Sequence, residues 1–155
     1  MSLLTFETSS AAETRSLGRR IAARLQPGDV VLLNGDLGAG KTTLAQGIGM
    51  ALGTRERAQS PTFSLVIDTL LPGGTTLRHI DLYRLESLDE LNALGFEELT
   101  SDDRAITLVE WPERAVGMLP ESYLLVELDP AGPDRRRITL RPVGMTKRFA
   151  DLQFA

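Results

Sequence analysis

The chain has 155 residues, 42% of them hydrophobic and 25% charged, a net charge of −4 and no cysteine, which reads as a single domain, 1–155, able to bury about 70% of its unfolded surface. The missing cysteine excludes disulfides, thiolate metal sites and thiol nucleophiles; no apolar run approaches the roughly 18 residues of a membrane span, and no secretory pattern opens the chain, so a cytoplasmic location is expected. The acidic balance argues against a broad basic face for nucleic acid, because such binding depends on releasing counterions from many phosphates.

Leu3-Leu4-Thr5-Phe6-Glu7 reads as a short first strand. Ser10 and Glu13 then form an S-x-x-E capping box, which predicts a helix start. Leu17, Ile21, Ala22 and Leu25 recur on one face and Arg15, Arg19, Arg20 and Arg24 fill the rest, so an amphipathic helix is expected up to Pro27-Gly28. Val30-Val31-Leu32-Leu33 has the continuous apolar character of a buried strand.

That strand leads into Gly35-Asp36-Leu37-Gly38-Ala39-Gly40-Lys41-Thr42, the full G-x-x-x-x-G-K-[ST] phosphate-binding signature. Its glycines let successive N–H groups turn inward around a polyphosphate, Lys41 reaches the β and γ phosphates, and the Thr42 hydroxyl suits Mg²⁺. Apolar residues at helical spacing from Thr43 to Leu52 predict a helix whose N-terminus faces the phosphates. Only Lys41 and Lys147 of the seventeen basic residues are lysines. A lysine at this one position supplies the compact ammonium that arginine cannot.

Two strand-like runs, 63–69 and 75–80, flank Leu71-Pro72-Gly73-Gly74 and predict a hairpin. Ser87 and Glu90 make a second capping box, with Gly95 placed to end that helix. Ala105-Ile106-Thr107-Leu108-Val109 reads as a central parallel strand ending in Glu110. A final hairpin pairs 123–128 with 137–141 across Pro130-Ala131-Gly132-Pro133, and residues from about 145 read as a loose tail. The expected class is α/β: a P-loop NTPase-like three-layer fold, its central sheet mostly parallel with antiparallel hairpin additions.

A phosphate loop requires a carboxylate near Mg²⁺ at the end of a neighbouring strand. Glu110 and Asp81 both fit. Pattern favours Glu110 as the closer metal contact, with Asp81 holding a metal-bound water or orienting the attacking water. Thr62, in Ser60-Pro61-Thr62-Phe63, reads on its own as part of a turn entering a strand. The single histidine, His79, reads as a strand residue satisfied by backbone, Trp111 as either core or a wall beside nucleotide, and Arg135-Arg136-Arg137 as either a solvated hairpin edge or a functional cluster.

Four blocks in one order, Gly35 to Thr43, Ser60 to Val66, His79-Ile80-Asp81-Leu82-Tyr83-Arg84-Leu85 and Leu108-Val109-Glu110-Trp111-Pro112-Glu113, resemble the TsaE (YjeE) family, small bacterial ATPases of tRNA threonylcarbamoyladenosine biosynthesis. The resemblance implies that Lys41 and the loop residues Gly38, Ala39, Gly40, Thr42 and Thr43 hold ATP, that Thr42 and Glu110 hold Mg²⁺, and that Asp81 and Thr62 serve the active or switch state. It also implies nucleotide contacts around Ser10 and Ala11 and with one of Arg135 to Arg137, Arg135 first. Partners implied are TsaD and TsaB, with tRNA reached only through that complex. The rival readings are a small-molecule kinase, which would need an arginine-bearing lid, and a nucleotide-gated binding module; a GTPase lacks its Asn-Lys-x-Asp sequence.

Overall fold

The computed structural model describes residues 3–36, 38, 40–54, 65–144 and 149. Its strands are β1 (Leu4–Thr8), β2 (Val30–Asn34), β3 (Val66–Leu70), β4 (Thr76–Asp81), β5 (Ala105–Glu110), β6 (Tyr123–Gly132) and β7 (Arg135–Val143). They join one sheet in the order β1-β7-β6-β2-β5-β4-β3. The four central strands, β6, β2, β5 and β4, run parallel, while β7 and then β1 add antiparallel at one edge and β3 at the other. This is the expected parallel centre with hairpin additions.

Helices α1 (Ala11–Ala22) and α2 (Lys41–Leu52) cover one face of the sheet. The short helices α3 (Leu88–Leu94) and α4 (Phe96–Thr100), with a 3₁₀ turn at Pro112–Ala115, cover the other. Alternate residues of β2 divide between the two cores: Val31 and Leu33 pack with Leu44 and Ile48 of α2, whereas Val30 and Leu32 pack with Leu91 and Phe96. Burial on both faces explains the unbroken apolar runs of β2 and β5.

Both serine caps form as expected, Ser10 Oγ accepting from the Glu13 N–H at 3.1 Å and Ser87 Oγ from the Glu90 N–H at 3.2 Å. Gly95, left-handed at φ 77°, ends α3 and at once starts α4, a five-residue helix too short for periodicity to reveal. The expected loop at 130–133 is largely strand. Beyond Glu127, β6 no longer pairs with β2 and has only β7 beside it, so Pro130 is accommodated in a two-stranded ribbon. Phe149 is fully buried in the core beneath α1 and α2, so at that residue the expected loose tail is docked.

Helices α1 and α2 meet at two glycines. A Cβ on Gly18 would stand 2.6 Å from the Leu44 carbonyl oxygen, and one on Gly47 would overlap the Arg15 carbonyl. Their missing side chains let the helix backbones touch, which brings the start of α1 beside the start of α2.

Candidate functional site

The signature loop joins β2 to α2 with Gly38 and Gly40 at φ 82° and 101°, a conformation side chains resist. Gly40 is the helix N-cap and has no side chain to cap with, and no acidic residue lies in the first turn of α2. The N–H groups of that turn therefore present partial positive charge without a side-chain cap. Leu37 and Ala39 lie outside the described residues, as does Thr62.

Lys41, first residue of α2, is only 5% exposed, and its Nζ has no hydrogen-bond partner among the described residues. It stands over the Trp111 ring, 3.8 Å from the centroid. Burial pushes the ammonium below the ordinary lysine range, while the carboxylates of Glu110, Asp81, Glu113 and Asp36 pull it back in part. An orphaned buried cation at an uncapped helix start fits a polyphosphate, whose oxygens would supply the missing acceptors.

Asp81 and Glu110 are direct register partners at the C-terminal ends of parallel β4 and β5. Such strand ends are where ligands of open α/β sheets bind. Glu110 is 3% exposed and Asp81 half-buried. Burial raises the Asp81 carboxyl above its usual range, opposed by the Tyr83 N–H, which donates to Oδ1 at 2.9 Å; the neighbouring Glu110 raises it further. Among the described residues no three His, Asp or Glu side chains form a metal cage. Two carboxylates and the Thr42 hydroxyl suit Mg²⁺, which takes few protein ligands and completes its shell with water and phosphate oxygens.

His79 departs from expectation. Its partner is a side chain: Nε2 lies 2.6 Å from Glu110 Oε2, both residues buried. The pair was invisible in the sequence because it depends on the register of β4 against β5, which brings residues 31 positions apart together. Trp111 is a wall. Its backbone is left-handed at φ 59°, strained for a bulky residue and doubly so before Pro112, and its ring stacks at a tilt on Tyr83 with centroids 4.9 Å apart.

Beside the loop lies a cavity of about 260 Å³. Ser9, Ser10, Ala11 and Thr14 from the start of α1 and the residues just before it, Gly40 and Thr43 from the N-cap and first turn of α2, Asp134 from the β6–β7 turn and Arg136 from β7 line it. Ser10, Ala11, Gly40 and Thr43 are thus brought together as the resemblance implied. Arg135 is not on this wall. It is exposed and offers its carbonyl to Arg136, whose guanidinium also donates to the Gly38 carbonyl at 3.1 Å, so Arg136 is the arginine placed at the loop. Alternation along β7 decides which member of the arginine triplet turns inward, and a turn of unknown length hid that phase from the sequence. Ser9, Thr14 and Asp134 were also not foreseen; Thr14 is held by a buried hydroxyl pair with Thr8 at 2.7 Å.

The chain matches the family model described as "Threonylcarbamoyl adenosine biosynthesis protein TsaE" over residues 8–138. It is 41% identical over 144 residues to the tRNA threonylcarbamoyladenosine biosynthesis protein TsaE of Streptomyces coelicolor, covering 89% of this chain and 96% of that one. Against the Bacillus subtilis TsaE protein the identity is 39% over 144 residues, covering 93% and 89%. The crystal structure of Bacillus subtilis YdiB superposes with a TM-score of 0.74 at 34% identity, covering 92% of this chain and 87% of that one. With the family model spanning most of the chain and these relatives aligned along nearly all of it, the chain belongs to the TsaE family of tRNA threonylcarbamoyladenosine biosynthesis proteins.

Proposed function

We propose that the chain is a Mg²⁺-dependent ATPase hydrolysing the β–γ bond of ATP to serve formation of N6-threonylcarbamoyladenosine at position 37 of tRNAs that read codons beginning with A. It works with TsaD and TsaB and meets tRNA only through that complex. The observation that carries this reading is the Lys41 ammonium, buried without a hydrogen-bond acceptor among the described residues at the start of an uncapped helix. Leaving such a charge unpaired is costly, and a bound polyphosphate relieves it.

In this reading the adenosine end of ATP occupies the cavity between α1, α2 and the β6–β7 turn, and the phosphates lie on the loop. Lys41 and the N–H groups opening α2 stabilise the charge that builds on the β and γ oxygens as the bond breaks. Thr42 with Glu110 or Asp81 would hold Mg²⁺, which when bound supplies charge neutralisation on the phosphate oxygens. The other carboxylate orients the attacking water. Arg136 is the one arginine on the cavity wall among the described residues, and its guanidinium is engaged by two backbone carbonyls. Among the described residues no other arginine lines the cavity, and turnover by the isolated chain is expected to be slow and to rise when partners complete the site.

The test is a reconstituted tRNA modification assay with phosphate release followed in parallel, using the wild-type chain, no chain, and Lys41→Ala. The wild type should sustain repeated cycles and the variant should not. A variant as effective as wild type, or hydrolysis indifferent to the partners, would count against the reading.

A further inference from the structure

We propose that His79 is a positioning residue that orients the Glu110 carboxylate for Mg²⁺, an inference that rests on the nucleotide reading above. Three observations converge on it. His79 is 5% exposed, on a central strand whose neighbouring core positions, Leu77 and Ile80, are aliphatic. It pairs in register with Leu108, so an apolar side chain would pack at this position at least as well. Yet the ring reaches two register positions toward the strand ends, past Leu108, and its Nε2 meets Glu110 Oε2 at 2.6 Å.

A carboxylate only accepts, so Nε2 carries the hydrogen and donates it. Holding Oε2 stops rotation about the last C–C bond of Glu110, which defines where its second oxygen lies. Asp81, two residues on along the same face of β4, stands in register with Glu110, so one strand supplies both the second carboxylate and the group that steadies the first. Hydrogen-bonded outer partners of metal-binding carboxylates act this way, through the ligand rather than on the metal.

The test separates metal from nucleotide. ATP is titrated calorimetrically into wild type, His79→Leu and His79→Gln, first in EDTA and then at stepped MgCl₂. His79→Leu should bind ATP in EDTA within about twofold of wild type, while the Mg²⁺ concentration giving half the metal-dependent gain in affinity rises about 10–100-fold. His79→Gln, which keeps an N–H donor at the same reach, should recover most of that loss. Because His79 is the only histidine, ¹⁵N spectra of the ring in the ligand-free protein report on it alone and should show hydrogen on Nε2. An Nε2 without hydrogen, an unmoved Mg²⁺ midpoint in His79→Leu, no rescue by Gln, or equal losses in both media would each overturn the proposal. A wild-type chain that binds ATP in neither medium would instead sink the nucleotide reading, and this inference with it.

Discussion

The Lys41 ammonium rests on the face of Trp111, 3.8 Å from the ring centroid, with carboxylates around it but no hydrogen bond among the described residues. Burial disfavours its charged form, so the unfolded chain holds that proton more tightly than the folded one. Stability therefore rises with pH from the depressed folded pKa up to the ordinary lysine value, where both states have released it.

Replacing Lys41 by Met removes the buried charge and keeps most of the volume. The ligand-free Lys41→Met chain is expected to be more stable than wild type at pH 7 by about 1 kcal/mol, a rise in Tm of roughly 2–4 °C. It should also lose the alkaline gain described above and bind no ATP. Thermal denaturation between pH 7 and pH 10 and an ATP titration check the three effects; a destabilised variant would show that the carboxylates and Trp111 satisfy the ammonium.

Trp111 is the only tryptophan in the chain. Phosphates that draw Lys41 off its ring change the charge next to the indole, so emission should shift when ATP is added to wild type. The same addition to Lys41→Met should leave the spectrum unchanged.

Gly47 lies under the Arg15 backbone, and any added Cβ overlaps it. Gly47→Ala should cost about 1–3 kcal/mol by pushing α1 away from α2. Displacing α1 also moves the Ser9 to Thr14 wall of the cavity, so the variant should bind ATP more weakly even well below its Tm. Unchanged affinity in a folded Gly47→Ala chain would separate the α1 wall from the nucleotide.

The two arginines that open β7 differ in placement and should differ in effect. Arg136→Ala removes the donor to the Gly38 carbonyl and should weaken ATP binding by about tenfold, on the scale of one charged hydrogen bond. Arg135→Ala should leave affinity within about twofold. Titrating both variants side by side decides which arginine serves the loop.

Arg78, 9% exposed, donates from Nε and one terminal nitrogen to Asp68, and from the other to Asp102 and the Leu99 carbonyl, tying β3 and β4 to the segment before β5. Arg78→Met should cost about 2–3 kcal/mol, because several charged hydrogen bonds go while the two carboxylates return to water. The Asp102 carboxyl is held below the usual range by the Arg104 N–H first and by Arg78 next. That contribution is complete above the ordinary carboxylate pKa and is lost as pH falls through the depressed one, so urea midpoints of Arg78→Met between pH 5 and pH 2 should fall less steeply than those of wild type.

Local chemistry written in contiguous residues was legible. The Ser10 and Ser87 caps, the apolar strands and the signature loop all follow from neighbours in sequence, and two carboxylates ending strand-like runs were expected at strand ends, where the structure sets them side by side. What stayed hidden depends on register or packing between distant segments. The pairing of His79 with Glu110 needs β4 aligned on β5, the choice of Arg136 over Arg135 needs the phase of β7, and the contact of Gly18 and Gly47 needs two helix backbones in touch. Phe149 shows the same limit in a tail whose composition does not announce a core residue.

The cavity draws its walls from Ser9, Ser10, Ala11 and Thr14, from Gly40 and Thr43, and from Asp134 and Arg136, and among the described residues β1, just ahead of the first wall, pairs with β7 alone. As the chain leaves the ribosome, the loop and α2 emerge long before the turn that closes the cavity. A nascent chain released short of Arg136 carries the complete phosphate signature with one side of its pocket missing and β1 without a neighbour. On the nucleotide reading proposed above, the pocket is complete only after β7 has been made, long after the phosphate signature itself.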